Sequence, residues 1–196
     1  MPSALWVVVA YLIGSVSFAV VVSKLFSLPD PHSYGSGNPG ATNVLRTGNK
    51  LAAALTLMGD GAKGWFAVFL AKQFAPSMDP WILAAVVLAV FLGHLFPIFH
   101  KFEGGKGVAT AAGILLALDW RLAAAAFVVW LFFAVVVRIS SVSSLAAAVV
   151  APLAAFYFYG NHPLAWVFVP IALLLIWRHK GNIQKLLQGS ESTIGR

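Results

Sequence analysis

Four stretches of this chain, Ala4–Val22, Trp81–Phe99, Val142–Tyr159 and Leu164–Trp177, contain no Asp, Glu, Lys or Arg. A water-soluble core rarely needs uncharged runs of that length, whereas a helix crossing a bilayer needs about 20 apolar residues. The mean hydropathy is +0.88, and 10% of residues are charged against about 25% in soluble domains. The expected fold is therefore an all-α, polytopic transmembrane helix bundle. A single domain over residues 1–196 follows, because the length holds about five to seven spans and little else. The first run has no basic segment before it and no small-residue cleavage pattern after it, so it is expected to be retained as a span.

In chain order, helices are expected at Ala4–Ser23, Leu51–Lys72, Trp81–Phe99, Val108–Leu118, Arg121–Val137, Val142–Tyr159 and Leu164–Trp177. Turns at Pro29–Pro31, Pro76–Pro80 and Gly160–Pro163 separate several of them. The fourth helix is short, since its 11 residues rise only about 17 Å against a hydrocarbon core of about 30 Å. Counted as a crossing, it gives seven spans with the N-terminus outside and the C-terminus in the cytoplasm. Lys24, Arg46, Lys50, Lys101, Lys106, Arg138, Arg178, Lys180, Lys185 and Arg196 then share one face, and only Lys72 and Arg121 lie opposite. That asymmetry marks the cytoplasmic side. The net charge of +7 thus reads as topology and contact with membrane lipids, not as nucleic-acid binding. Trp6, Trp81, Trp120, Trp166 and Trp177 fall near span ends, as an interfacial belt does.

Three polar stretches meet on the basic face. The first, Ser33–Lys50, is too polar to span and too glycine-rich for a plain helix. It offers backbone amides at Gly35, Gly37 and Gly40, side-chain donors at Ser36, Asn38, Thr42 and Asn43, and the guanidinium of Arg46. Glycine lets a backbone approach an anion, successive amides form an anion nest, and Arg contacts phosphate through two donors. Taken alone it equally fits a connecting loop whose Arg46 meets lipid head groups. The second, His100–Gly107, runs through Glu103-Gly104-Gly105-Lys106-Gly107 into the short helix and Thr110. Free amides and a positive macrodipole at a helix start suit a phosphate, although a short basic turn is the plainer account. It is not a Walker A loop, because His100 stands where that pattern needs Gly and Gly107 where it needs Ser or Thr. The third is the tail from Arg178, where His179 and Asn182 are three apart. A continued helical turn places both on one face, and His is the commonest general acid or base.

Asp60 and Lys63 also lie three apart, within a membrane helix and among Gly59, Gly61 and Gly64. An ion pair at that depth is expensive and defaults to function; a mixed role is expected, with Asp60 as structural support and Lys63 bracing the first island near its phosphate. His94 is expected to be packed and hydrogen-bonded, while His32, His100 and His162 show no partner. The absence of cysteine excludes a disulfide framework, a thiolate nucleophile and Cys-bound zinc. Six acidic residues, none in a close catalytic pair, make glycosidase chemistry or a carboxylate metal cage poor fits. No metal and no cofactor is required.

Ser36-Gly-Asn-Pro-Gly-Ala-Thr-Asn43 with Arg46, Gly59-Asp-Gly-Ala-Lys-Gly64, Glu103-Gly-Gly-Lys-Gly-Val-Ala-Thr110 and Arg178-His179 with Asn182-Ile183, in this order between these spans, resemble the bacterial acyl-phosphate:glycerol-3-phosphate acyltransferases. The resemblance covers essentially the whole chain. It implies seven transmembrane helices in the bacterial inner membrane, an N-terminus outside and an active site facing the cytoplasm. It further implies transfer of an acyl chain from acyl phosphate to the primary hydroxyl of glycerol 3-phosphate, giving lysophosphatidic acid. By the same resemblance Ser36 and Arg46 belong to a first essential motif, Gly104–Gly107 to a phosphate-binding loop, and His179 with Asn182 to a third motif. Gly181 departs from the acidic residue expected before the Asn, which predicts a loosened tail helix.

The chemistry of the residues agrees with that resemblance. Acyl phosphate carries a good leaving group, so positioning and charge stabilisation matter more than a strong nucleophile. Lys106 with the amides of Gly104, Gly105 and Gly107 suits the departing phosphate. Arg46 with Ser36, Asn38 and Asn43 suits the second phosphate, and Gly37, Gly40, Thr42, Thr110 and Lys63 complete the candidate binding set. His179 is the obvious base, but Ser36 or a substrate phosphate is also available. No His is followed after four residues by Asp, the pattern of the soluble-donor glycerolipid acyltransferases. A monomer is the expected state. The rival reading is a transporter for a phosphorylated solute, with Asp60-Lys63 and the glycine breaks lining a pathway. The lack of repeated halves and the clustering of polar stretches on one face count against it, and a noncatalytic scaffold would leave those stretches unexplained.

Overall fold

A computed structural model of the chain describes residues 3–194. Arg196, counted above on the basic face, lies outside the described residues. Among those residues the chain is all-helical: α1 Ser3–Gly14, α2 Phe18–Leu25, α3 Ala41–Leu45, α4 Lys50–Phe74, α5 Pro80–Leu95, α6 Val108–Leu118, α7 Trp120–Val136, α8 Ser140–Tyr159, α9 Pro163–Trp166, α10 Phe168–Arg178 and α11 Lys180–Leu187, with one 3₁₀ turn at Ile98–His100. Helix starts follow from side-chain oxygens that accept the first free amides. Asn49 accepts from Ala52 at 2.9 Å, Asp79 from Trp81 at 2.7 Å and Asp119 from Arg121 at 2.8 Å. Lys72 closes the other end of α6, donating to the carbonyls of Ala117 at 3.0 Å and Leu118 at 3.3 Å. A cation there complements the negative end of the helix dipole.

Two expected helices are interrupted. The first breaks at residues 15–17 into α1 and α2, which are bent by 41°. Ser15 bonds back to the Tyr11 carbonyl at 2.9 Å, and the carbonyl of Val16 accepts Lys63 Nζ at 2.6 Å. The last breaks at Val167, three residues before Pro170, whose ring excludes the carbonyl of residue 166 from a regular turn. By length and composition, Pro80–His100 and Ser140–Tyr159 can each cross a membrane, as can each bent pair, Ala4–Gly14 with Phe18–Leu25 and Pro163–Arg178 with Lys180–Leu187. Val108–Leu118 and Trp120–Val136 are shorter apolar helices.

Without a solvent-driven hydrophobic force in lipid, close backbone approach holds helices together. Where α4 crosses α6, a Cβ at Gly113 would overlap the Gly61 carbonyl, and one at Gly64 would overlap the Thr110 carbonyl. The same device joins α1 to α5, where Gly14 meets Val90 and Gly93 meets Tyr11. Phe91, Leu95, Ile114, Leu122 and Phe168 fill the centre and are fully buried. α7 and α8 pack side by side, and α8 also packs on α10.

Candidate active site

The first polar stretch folds as a loop closed by one side chain. Asn43, 2% exposed, donates through Nδ2 to the carbonyls of Pro31 at 2.8 Å and Tyr34 at 3.1 Å and accepts from the Ser36 amide at 3.0 Å. Its amide is therefore occupied inside the loop, so Asn43 shapes the site from behind. The Gly37 amide likewise turns inward to Tyr34. A single turn of helix, α3, follows where the glycine content predicted none. It carries Thr42 at one end and leads into Arg46, both exposed and both facing the cavity described below.

The second stretch is a tight loop against α5 and α10. Gly107 sits at φ +88°, and a Cβ there would overlap the Phe91 ring, so only glycine allows the chain to turn into α6. The Gly105 amide donates to the His94 carbonyl at 3.2 Å and is not available to a ligand. Arg178 holds the loop from the other side, donating from Nε to the Gly105 carbonyl at 3.0 Å and from Nη2 to the Gly104 carbonyl. His32 ties the two stretches together, bonding to Asp30 at 2.7 Å through Nδ1 and to the Glu103 carbonyl at 3.1 Å through Nε2. His162 also has a partner, accepting the Leu164 amide at the start of α9.

Lys106 projects from this loop and donates to Asn182 Oδ1 at 2.5 Å. Asn182 Nδ2 donates to Glu191 Oε1 at 2.6 Å, which also accepts from Ser141 at 2.7 Å. Burial pushes Lys106 down to about 8; Glu191 opposes this, while Arg46, Lys185 and Arg178 reinforce it. His179, 2% exposed, donates from Nδ1 to the Leu175 carbonyl at 2.8 Å. A carbonyl can only accept, so the neutral ring presents a bare Nε2. Burial holds His179 down to about 4 against that bond, helped by the charges of Lys106 and Arg178. Despite Gly181, α11 runs unbroken from Lys180 to Leu187.

All three stretches open into one cavity of about 1630 Å³. Ser36, Asn38, Arg46, Lys106, His179 and Asn182 line its polar end, together with Gly37, Gly40, Thr42, Gly104 and Gly107. From there it continues between α4, α6, α7, α8 and α10 along an apolar wall that includes Leu57, Leu116, Phe127, Ala147 and Ile171.

Three expected binding residues lie elsewhere. Thr110, fully buried, donates to the Asp60 carbonyl at 3.0 Å and joins α6 to α4. Lys63 pairs with Asp60 at 2.8 Å and with the Val16 carbonyl, so its charge is satisfied within the bundle. Gly105 supports the loop but contributes no free amide. His94 is packed as expected, yet its Nδ1 makes no hydrogen bond and stands 3.6 Å from Asp60 Oδ1. Sequence reasoning missed Arg178 as the brace of the glycine loop, whose only signal was adjacency to His179. It also missed Glu191, which follows the helical tail without any local pattern.

An all-helical bundle with membrane-length apolar helices, and a cationic pocket that opens into an apolar groove, defines an integral membrane protein that handles an amphiphilic phosphate. A family model described as "Glycerol-3-phosphate acyltransferase" matches residues 4–189. Relatives named glycerol-3-phosphate acyltransferase include one from Cupriavidus pinatubonensis, 59% identical over 100% of this chain and 98% of its own length, and one from Cupriavidus taiwanensis, 60% identical with the same coverage. Two solved structures of PlsY (YgiH), an integral membrane glycerol 3-phosphate acyltransferase, superpose over 100% of this chain and 96% of theirs. The glycerol 3-phosphate form gives a TM-score of 0.93 at 37% identity, and the lysophosphatidic acid form 0.89 at 36%. The chain belongs to the glycerol-3-phosphate acyltransferase family and is an integral membrane acyltransferase.

Proposed function

We propose that this protein transfers an acyl chain from acyl phosphate to the primary hydroxyl of glycerol 3-phosphate, releasing lysophosphatidic acid and inorganic phosphate. The observation that carries the reading is the meeting of Arg46, Lys106, Asn182 and His179 at one end of a cavity whose other end is apolar. Two cations suit two phosphates, and the groove suits a fatty chain. The transporter reading is weakened, because Asp60 and Lys63 pair with each other at 2.8 Å and Lys63 also bonds the Val16 carbonyl, so the two charges are engaged within the bundle.

In the proposed reaction Arg46, Ser36, Asn38 and Thr42 hold glycerol 3-phosphate, while Lys106 with the Gly104 and Gly107 backbone holds the acyl phosphate. The glycerol oxygen attacks the acyl carbon, the carbon–oxygen bond to phosphate breaks, and phosphate leaves with that electron pair. His179 near 4 is a weaker base than a phosphate group, whose second pKa is about 6. The hydroxyl proton therefore passes to phosphate, and His179 shapes the polar end of the cavity without taking that proton. The chain crosses the bacterial inner membrane seven times, from an outside N-terminus to a cytoplasmic C-terminus, with the site on the cytoplasmic side. The bond from the Ile194 amide to the Arg138 carbonyl supports placing tail and Arg138 at one end. The protein works as a single domain and as a monomer, and the activated donor makes a cofactor unnecessary.

The test is purified protein in lipid, supplied with acyl phosphate and glycerol 3-phosphate. Lysophosphatidic acid and phosphate should appear in equal amounts. Turnover with an acyl thioester but none with acyl phosphate overturns the donor assignment, and a labelled protein formed from donor alone overturns direct transfer.

A further inference from the structure

The apolar branch of the cavity follows α6 from Val108 to Leu116. Seven of the helix residues between those two ends, both included, line it, with Ala112 and Leu116, four apart, the exposed pair. The 11 residues of α6 rise about 17 Å, a little over half of a hydrocarbon core about 30 Å thick. The groove beside α6 is therefore about as deep as one leaflet, the reach of one fatty chain.

At the end of this helix the chain turns abruptly. Asp119 leaves helical geometry and caps α7, so that Trp120 stands at the start of the next helix and lines the same cavity. Lys72 holds the last carbonyls of α6 from the α4 side, which fixes where the groove finishes. Across the groove, Trp65 of α4 also lines the cavity and stacks on Phe69 at 4.6 Å between ring centroids. The remaining wall of α7 near this end is small, being made of Ala123 and Ala124. Trp120 is thus the large side chain that α7 places just past the end of α6, whereas Lys106 stands just before its start.

We propose that Trp120 is the end stop of the acyl groove and sets the longest fatty chain the enzyme uses. The inference rests on the acyl-transfer reading above and adds a specificity determinant to it. A methyl end that reaches the indole stops there, and a longer chain must bend out between α4 and α6 toward lipid. Ala112, exposed to the groove halfway along α6, supplies the converse: a larger residue there shortens the same groove.

The experiment compares the parent enzyme, Trp120→Ala and Ala112→Phe on saturated acyl phosphates of graded length, with lysophosphatidic acid measured by mass spectrometry. Trp120→Ala should raise the rate on the first chain too long for the parent by about tenfold relative to its best substrate, and Ala112→Phe should shift the optimum to shorter chains, since each methylene in a pocket discriminates about 10-fold or more. Identical length profiles in all three enzymes overturn the end stop while leaving acyl transfer intact. A second readout needs no turnover: lysophosphatidic acid brominated at its methyl end should quench tryptophan fluorescence in the parent enzyme and in Trp81→Phe, and quench less in Trp120→Phe. Equal quenching in Trp81→Phe and Trp120→Phe overturns the proposal even if the acyl-phosphate assignment fails.

Discussion

Lys63 and Lys106 stand in nearly the same local sequence, Gly61-Ala62-Lys63-Gly64 and Gly105-Lys106-Gly107, and come to opposite ends. Lys63 lies inside α4, 5% exposed, and both of its partners belong to the bundle. Lys106 lies on a loop that opens a helix, and its one hydrogen-bond partner among the described residues is the amide of Asn182 at the cavity wall. The flanking glycines differ in the same sense. Gly64 lets α6 approach, whereas Gly107 lets the chain turn with positive φ and aim what precedes it at the cavity. A lysine between small residues is thus a packing element inside a helix and a ligand-facing element at a helix start.

The largest effect that distinguishes the two regions is on folding. Lys63→Ala leaves the Asp60 carboxylate buried without its cation, which costs about 3–5 kcal/mol. Thermal unfolding in detergent should show the protein markedly destabilised, and an unchanged melting temperature breaks the comparison. Lys106→Ala should leave the melting temperature near that of the parent and lower kcat/KM by about 100- to 1000-fold, as loss of one transition-state donor does. Near-normal turnover in that variant removes the phosphate clamp.

The pH dependence comes next in size. Lys106 is cationic below about 8, so kcat/KM should hold at neutral pH and fall up to tenfold per unit above it. Glu191 raises the Lys106 value, so Glu191→Gln should move that limb toward lower pH. His179, near 4, is already neutral at pH 6 and adds no limb there. The smallest effect concerns Gly181, where an added Cβ meets nothing within 4 Å. Gly181→Ala should stabilise α11 by about 0.5–1 kcal/mol, read as a slight rise in melting temperature with activity unchanged.

The apolar periodicity made the order of helices legible, and α6 begins and ends at the expected residues because Gly107 and Asp119 punctuate both sides. The breaks within the first and last helices were not legible, since each depends on a distant partner or on a proline acting one turn upstream. In the site, Ser36, Arg46, Lys106, His179 and Asn182 were marked by residue type and spacing, and one cavity gathers them. Asn43 and Thr110 were marked by the same donor chemistry, yet their bonds turn inward. Donor type is written in the sequence, but the direction a donor faces is set by tertiary packing. Glu191 had no signal because its contacts, with Ser141 on α8 and Asn182 on α11, exist only once those helices are adjacent.

The bond from Lys63 to the Val16 carbonyl spans 47 residues of chain and bears on the order of assembly. The first helix emerges from the ribosome before its partner lysine does. Until that lysine arrives, a bent first helix leaves a carbonyl bare in hydrocarbon, at a cost of several kcal/mol, and a straight one does not. The nascent segment is therefore expected to insert straight and to bend only when α4 enters beside it, so the architecture of the N-terminal third is completed by the second hairpin partner and not by its own translation.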